Sequence, residues 1–212
     1  MKLYGFFRSS ASYRVRIALN LKHLEYEQAS IRLAKGEQYE PPFSAISPQN
    51  LVPVLENDGL RLYQSPAIIE YLDEVYPEPP LLPKDPAARN RVRSLALISA
   101  CEIHPLNNTR VLNYLSETLN LTEEQKTDWY HHWITIGFGA LEQRLADEKE
   151  TGSFCHGDTP GFADICLVPQ VANARRFKVD LSAFPTILRI NDNCLALEPF
   201  KKAMPANQPD AE

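Results

Sequence analysis

The 212-residue sequence lacks any apolar run that approaches the roughly 20 residues a helix needs to cross a bilayer. It also lacks the basic, apolar and small-residue order of an export signal, so we expect a cytoplasmic protein without a membrane anchor. Basic residues are in deficit, because 22 Lys and Arg against 27 Asp and Glu give a net charge of −5. This balance argues against nucleic acid and against an anionic membrane surface as partners.

Cysteine is scarce and irregularly spaced, which excludes a disulfide scaffold and a C-x-x-C redox motif. Without an export signal, the four cysteines are expected to be reduced thiols. One cysteine lies three residues before His104, but no second pair completes a zinc set, so no metal site is predicted. The four are Cys101, Cys155, Cys166 and Cys194.

The first polar turn contains no glycine, and the G-x-x-x-x-G-K-[ST] and G-x-G-x-x-G patterns are absent, which argues against a phosphate loop. The turn does have Ser9, Ser10 and Ser12, any of which can cap a helix. An alternating, aromatic-rich segment at residues 2–6 predicts a strand before the turn, and apolar residues at three- and four-residue spacing predict a helix after it. The free N–H groups and the dipole of such a helix attract an anion.

A thiolate is one anion that this turn can stabilise. The helix dipole contributes about 0.3–1 kcal/mol, which is less than the roughly 1.36 kcal/mol that one pKa unit requires. A serine hydroxyl that donates to the sulfur has to supply the rest. Because the turn contains no cysteine, the thiol would belong to a ligand. The alternative is that the serines only cap the helix.

The first 80 residues predict an α/β domain with a mixed sheet. Further strands are expected at residues 24–31, after Pro53, and at 60–63, and Asn57-Asp58-Gly59 is a hairpin turn signal between the last two. Residues 34–47 are predicted to be a loop with at most one short helix. Ser65 is expected to be the N-cap of the next helix, with Pro66 at its first position.

Prolines crowd residues 77–86 and indicate a linker, after which the pattern is helical. A long helix is predicted over residues 87–119, kinked at Pro105. A capping box at residues 122–125 starts the next helix. Two more helices are expected, and the polar tail is expected to be loose. These last segments are residues 161–175, 185–196 and 207–212.

Five segments resemble the cytosolic glutathione transferases, and most closely their zeta class, the maleylacetoacetate and maleylpyruvate isomerases. R-S-S-A-S-Y-R-V-R-I-A-L at residues 8–19 resembles the zeta motif S-S-C-x-W-R-V-R-I-A-L. N-L-V-P-V-L at 50–55 and Q-S-P-A-I-I-E-Y-L at 64–72 are similar to the segments that hold glutathione. I-H-P-L-N-N at 103–108 and the G-D-T-P…A-D pattern at 157–164 are similar to the helical domain.

The resemblance implies a thioredoxin-like domain at residues 1–80 with a mixed four-stranded sheet, a linker at 81–86, and an all-helical bundle domain at 87–212. It also implies glutathione as the cofactor and a homodimer. The implied activity is cis–trans isomerisation of a maleyl keto acid, either maleylpyruvate to fumarylpyruvate or maleylacetoacetate to fumarylacetoacetate, by thiolate addition, rotation and elimination.

The same resemblance implies roles for individual residues. Ser9 would donate to the glutathione sulfur with Ser10 assisting, and Val52, before a cis Pro53, would pair its backbone with the cysteinyl part. Arg8 beside the serines is also a catalytic candidate. Five further residues would contact glutathione or, for the last two, glutathione or the substrate. These are Gln49 at the glycyl end, Gln64 and Ser65 at the γ-glutamyl carboxylate, and the pair His104 and Asn108, expected on one helical face.

The implied substrate carries two carboxylates, so the site needs cations. Arg8, Arg110 and Arg176 are the substrate-binding candidates, although each of them also suits an exposed surface. Arg175 is interpreted as a charge at a helix C-terminus.

Two departures from the zeta motif matter, since its cysteine is Ala11 here and its tryptophan is Tyr13. The missing cysteine leaves glutathione as the thiol in the turn and favours maleylpyruvate over maleylacetoacetate. Gly161 stands where the family tends to have Ser or Thr, which makes it a weaker helix cap beside Asp164. Two rival functions stay open: a general glutathione transferase for electrophiles or haloacids, and a non-catalytic binding protein with this fold.

Overall fold

The computed structural model describes residues 1–211, which form two compact units. The first unit comprises Met1–Leu81 together with the chain from Leu195 onward, and the second comprises Leu82–Cys194. The sequence places residues 195–211 in the helical domain instead. The difference arises because this segment packs on the first helix, where Arg16 Nε donates to the carbonyl of Ala203 over 3.1 Å. Glu212 lies outside the described residues.

Four strands of the first unit form one mixed sheet in the order β2-β1-β3-β4. The first two strands are parallel, and the remaining pairs are antiparallel. The hairpin between the last two turns through Asp58 and Gly59, which both have positive φ (48° and 79°), as the Asn-Asp-Gly signal predicts. The strands are β1 (Lys2–Gly5), β2 (Glu27–Ser30), β3 (Val54–Asn57) and β4 (Leu60–Tyr63).

The predicted loop at residues 34–47 contains the short helix α2 and parts of two 3-10 turns, Leu33–Lys35 and Glu37–Tyr39. The first helix of the unit is buried on every side except at Ala11, because α3 and α9 pack against it. The four helices of this unit are α1 (Ser10–Leu21), α2 (Phe43–Ile46), α3 (Ser65–Val75) and α9 (Glu198–Ala203).

The second unit is helical, but its first helix is not the long kinked one that the sequence predicts over residues 87–119. The chain forms α4, continues as a π-helical segment at Ile98–Ile103, turns through residues 104–108 and starts α5 at Thr109. Pro105 has no N–H to continue a helix, and the side chain of Asn108 caps the new one. The helices are α4 (Pro86–Leu97), α5 (Thr109–Glu117), α6 (Glu123–Asp147), α7 (Phe162–Arg176) and α8 (Pro185–Leu195).

Both helix starts that the sequence singles out in this unit are confirmed. Thr122 Oγ1 accepts from the N–H of Gln125 over 3.2 Å, and Gln125 Oε1 accepts from the N–H of Thr122 over 2.9 Å, which is the predicted capping box. Gly161 caps α7 without a side chain, and buried Asp164 compensates because it accepts from the N–H of Gly161 over 2.9 Å. No helix in residues 1–211 is both long and apolar enough to span a membrane.

The C-terminal tail is not loose as predicted. Gln208 is buried and donates to the carbonyls of Lys202 and Met204, both over 2.8 Å. Asp210 accepts a hydrogen bond from the N–H of Phe7 over 3.1 Å. Polar composition suggested exposure, whereas these polar side chains are used to anchor the tail.

Buried Lys22, just after α1, joins this helix to the chain that follows α3. Its ammonium donates to Asp73 Oδ1 over 2.6 Å and to the carbonyls of Tyr76 and Pro79, each over 2.7 Å, so all three hydrogens are used. Asp73 Oδ1 also accepts from the N–H of Leu81 over 2.7 Å. The Lys22 ammonium thus holds the end of α1 against α3 and the segment that follows it.

Substitution Lys22→Met should lower the free energy of unfolding by about 3 kcal/mol, because it leaves a partly buried carboxylate and two carbonyls without their cation. The matched control is Lys35→Met at an exposed lysine of the same unit, which should change stability by less than about 0.5 kcal/mol. Urea titration followed by circular dichroism measures both. Equal stabilities of the two variants would contradict this account.

Candidate active site

The register of the sheet brings three separate segments to one edge. Tyr4 pairs with Val54, and Val54 pairs with Tyr63, so the end of β1, the start of β3 and the end of β4 lie in one row. β1 and β4 run in the same direction because each is antiparallel to β3. The turn into α1, the Val52–Pro53 bond and the start of α3 therefore all lie at this edge.

The turn that leads from β1 into α1, residues 6–9, ends at Ser9, the N-cap of the helix. Its Oγ accepts from the N–H of Ser12 over 3.2 Å. Capping uses a lone pair of the hydroxyl and leaves its hydrogen free to be donated elsewhere. Ser9 is half-exposed. The predicted cap and the predicted thiol donor are thus compatible in one residue.

The neighbours of Ser9 differ in how a ligand can reach them. Ser10 and Ser12 are buried, and Ser12 Oγ accepts from the N–H of Phe6 over 3.4 Å. Arg8 is exposed, and its guanidinium lies 4.9 Å from the ring centre of Phe7 and 5.6 Å from that of Phe6. Among the three serines, Ser9 is the one with a surface that a ligand atom can contact.

The second segment at this edge holds the Val52–Pro53 peptide bond in the predicted cis form. The loop before it is closed by Ser47, whose hydroxyl donates to the carbonyl of Leu51 over 2.9 Å and accepts from its N–H over 3.2 Å. Val52 is half-exposed, while Pro53 is buried. The backbone of Val52 is therefore presented at the surface by a short and well-braced loop.

The third segment is the start of α3. The helix begins at Ser65, so Ser65 is its first residue and Gln64 is the N-cap, which corrects the predicted cap. Gln64 is exposed at φ 64°, a conformation that non-glycine residues rarely adopt and that clusters at functional sites. Its Nε2 donates to Gln49 Oε1 over 2.8 Å, so two residues predicted for opposite ends of glutathione contact each other.

Sequence reasoning gave no role to Arg14, which is 1% exposed and donates from Nη1 to Ser65 Oγ over 3.2 Å. A buried guanidinium and the N-terminus of α3 both favour an anion at this point. A signal was present in the sequence, because Arg14 and Arg16 interrupt a helix whose other residues after the first turn are mainly apolar. Because such a helix has no polar face, its two arginines are expected to be buried and to have specific partners.

In the second unit, the turn at residues 104–108 carries two of the candidates, and Arg110 follows it in the first turn of α5. His104 and Asn108 do not share a helical face as predicted, because His104 follows the π-helical segment and Asn108 is the N-cap of α5. Asn108 Oδ1 accepts from the N–H of Arg110 over 3.1 Å, and the Arg110 side chain is exposed. The turn is tied to α6 by Asn107 Nδ2, which donates to the carbonyl of Tyr130 over 3.2 Å.

Arg176 is the exposed last residue of α7, and its guanidinium lies 5.0 Å from the ring centre of Phe177. Phe177 stacks on Tyr130 with ring centres 3.8 Å apart. Burial raises the pKa of Tyr130, and Arg176 opposes that shift. Within this unit, Arg176 is thus linked to Tyr130 of α6 through Phe177, and the turn at 104–108 is linked to the same residue through Asn107. Arg175 is also exposed and pairs with Asp192 over 3.5 Å.

The residues at the sheet edge fit glutathione. They offer a hydroxyl donor at one helix N-terminus for a thiolate, an exposed backbone at Val52 for a peptide, and a second helix N-terminus beside a buried arginine for a carboxylate. A tripeptide with one thiol and two carboxylates carries this set of groups. Fold and site together define a thioredoxin-like protein of the glutathione transferase class.

Comparison with known proteins identifies the family. The profile of the glutathione S-transferase N-terminal domain matches residues 3–80. A maleylpyruvate isomerase of Ralstonia sp. is 49% identical over 211 residues, with 100% of both chains covered. The holo structure of a bacterial zeta-class maleylpyruvate isomerase superposes with a TM-score of 0.98 at 49% identity, and 100% of each chain is covered.

A maleylacetoacetate isomerase from Methylobacterium extorquens AM1, solved with bound malonate and glutathione, superposes with a TM-score of 0.97 at 44% identity, again with 100% of both chains covered. The chain belongs to the zeta class of glutathione transferases, the family of maleylpyruvate and maleylacetoacetate isomerases. It is a glutathione-dependent isomerase with the glutathione transferase fold.

Proposed function

We propose that this enzyme isomerises maleylpyruvate to fumarylpyruvate and that Ser9 is its thiol-activating residue. The observation that carries the proposal is the geometry of Ser9, whose hydroxyl caps α1 with a lone pair while its hydrogen remains available at a half-exposed position. Bound glutathione supplies a nucleophile that adds to the cis double bond and leaves again once the bond has rotated.

In this proposal, the residues of the first unit hold glutathione. The backbone of Val52, before Pro53, pairs with the cysteinyl part, and Ser65 and Gln64 hold the γ-glutamyl carboxylate at the start of α3. Gln49 is proposed to contact the glycyl part, and its hydrogen bond with Gln64 restrains both side chains before glutathione binds. Buried Arg14 donates a hydrogen bond to Ser65 and so holds its side chain in place. His104 and Asn108 are proposed to contact glutathione or substrate from the helical unit.

The arginines are proposed to bind the two carboxylates of the keto acid. Arg8, Arg110 and Arg176 are all exposed, so their guanidinium groups are accessible to a ligand. Arg8 and Arg176 each lie over an aromatic ring, which restricts the side chain before substrate arrives. A charge-assisted, bidentate contact both holds a carboxylate and stabilises negative charge that develops in the reaction. Ser10, which is buried, acts only through the turn that it helps to form.

Ala11 supports the choice of maleylpyruvate over maleylacetoacetate, because the position that carries a cysteine in the zeta motif has no thiol here. We further propose a homodimer in the cytoplasm. The edge strand β4 exposes Leu60 and Tyr63, two large apolar side chains that suit an interface. All four cysteines are free thiols, as expected for a reducing compartment.

The substrate is tested by following the loss of maleylpyruvate and of maleylacetoacetate by ultraviolet absorbance, each with and without glutathione. We expect turnover of maleylpyruvate to depend on glutathione, to leave the glutathione concentration unchanged, and to have the higher kcat/KM of the two. A higher kcat/KM for maleylacetoacetate would contradict the substrate assignment. Consumption of glutathione with haloacids or other electrophiles, and no isomerisation, would instead indicate a general transferase.

Substitution Ser9→Ala should raise the pKa of the bound glutathione thiol by about one to two units, because a hydrogen bond to a charged group contributes about 1.5–3 kcal/mol. Thiolate absorbance against pH measures this. Ser9→Thr keeps the hydroxyl and should titrate like the wild type. Thr122→Ala removes a capping hydroxyl from α6 instead, so it should cost stability and leave the thiol unchanged. A Ser9→Ala titration equal to the wild type would exclude the role.

Substitution Arg176→Ala should lower kcat/KM for the keto acid by about 10-fold or more, because one charge-assisted contact to a carboxylate is lost. The KM for glutathione should stay within about twofold of the wild type. Arg175→Ala is the matched control, since this adjacent exposed arginine already pairs with Asp192. Steady-state kinetics with each substrate varied in turn separate the two effects. Equal values of kcat/KM for both variants would remove Arg176 from the site.

A further inference from the structure

Several backbone groups of the turn into α1 have hydrogen-bond partners within the turn or on α1. Phe6 N–H donates to Ser12 Oγ over 3.4 Å, and the carbonyl of Phe6 accepts from the N–H of Ser9 over 3.0 Å and from Arg16 Nη1 over 3.4 Å. The carbonyl of Phe7 accepts from Arg16 Nη2 over 2.9 Å. The N–H of Phe7, in contrast, donates to an acceptor in a distant part of the chain.

That acceptor is Asp210, whose Oδ2 lies 3.1 Å from the nitrogen of Phe7. The other carboxylate oxygen, Oδ1, accepts from Gln28 Nε2 on β2 over 2.9 Å. Phe7 and Asp210 are separated by 203 residues in sequence, and Ser9 follows only two residues after Phe7. A carboxylate that accepts from a backbone N–H makes a stronger bond than a neutral acceptor does.

The segment that carries Asp210 is itself firmly attached to the first unit. Asn20 Nδ2 donates to the carbonyl of Pro199 over 3.0 Å, and Arg16 Nε donates to that of Ala203 over 3.1 Å. Arg16 therefore contacts both the C-terminal segment and the turn. Burial lowers the pKa of Arg16 to about 10, so it stays charged at neutral pH, and Asp210 is among the groups that raise this pKa.

From these contacts we infer that Asp210 is a positioning residue for the thiol-activating turn, and that it holds Phe7 so that Ser9 keeps its hydroxyl aimed at the ligand. The inference rests on the proposed role of Ser9. Asp210 acts through the backbone of Phe7, which is why the effect is one of geometry. A displacement of about 1 Å at a reacting group can lower the rate by up to roughly 100-fold. The loss of a single hydrogen bond near Ser9 can therefore change the rate of the reaction.

The first test is amide hydrogen exchange in the ligand-free enzyme. Asp210→Ala should accelerate exchange of the Phe7 amide by about 10-fold or more, because its acceptor is lost and the turn opens locally. Asp210→Asn keeps an acceptor oxygen, and Gln28 can reverse its amide to match, so exchange should stay within about threefold of the wild type. Glu198→Ala is the matched control, because this carboxylate of the same segment pairs with exposed Lys201.

The second test is the titration of the bound glutathione thiol. Asp210→Ala should raise the pKa of the bound thiol by roughly half to one unit, which lowers the thiolate-to-thiol ratio by about three- to tenfold, while Asp210→Asn and Glu198→Ala should match the wild type. A purely structural role would lower the melting temperature without moving this titration, and that result would overturn the inference. So would unchanged exchange at Phe7.

Two further comparisons keep the outcome decisive. If Asp210→Ala fails to fold, Gln28→Ala removes only the second partner of the carboxylate and should give the same changes at smaller amplitude, and no change in either readout would overturn the inference. If the wild-type bound thiol titrates like free glutathione, or Ser9→Ala leaves it unchanged, the proposed role of Ser9 fails instead. If Ser9→Ala raises the thiol pKa as expected but Asp210→Ala leaves both readouts unchanged, the role of Asp210 is rejected and the role of Ser9 stands.

Discussion

The site of the first unit depends on one constraint, the antiparallel pairing of β3 with both β1 and β4. The register that aligns Tyr4, Val54 and Tyr63 places the end of one strand, the start of the next and the end of the last at one edge. Two helices then begin at that edge, and their N-terminal N–H groups point outward with the same polarity. A slip of one residue would move every side chain of the strand to the other face.

Buried cations hold loops at both ends of α1 in place. Arg16 contacts the carbonyls of Phe6, Phe7 and Ala203, and Lys22 contacts those of Tyr76 and Pro79. Because each of these carbonyls accepts a hydrogen bond from a buried charged group, the cost of desolvating the charge is offset by several hydrogen bonds. The charges therefore stabilise particular loop conformations, including that of the turn that ends at Ser9.

The helical unit shows how the sequence pattern failed where the backbone is irregular. Apolar periodicity over residues 87–119 indicates one helix, yet the chain widens into a π-helical segment at Ile98–Ile103 and then turns. Ile103, the last residue of this segment, packs so closely on Gly137 of α6 that a Cβ at position 137 would collide with it. Such close packing between distant segments leaves no trace in local periodicity, although Pro105 and Asn108 mark where the helix ends and the next begins.

Local chemistry in the sequence was sufficient for the Asn-Asp-Gly hairpin, the capping box at Thr122 and the serine-capped helix, because each depends on residues close together in the chain. The mixed sheet followed from the order of the predicted strands and helices. The motifs around Ser9, Val52 and Gln64 were also sufficient to indicate a glutathione site. Only the tertiary structure decided that the tail joins the first unit and that Asp210 reaches Phe7. Those contacts join residues about two hundred positions apart, and no local pattern records a partner at that distance.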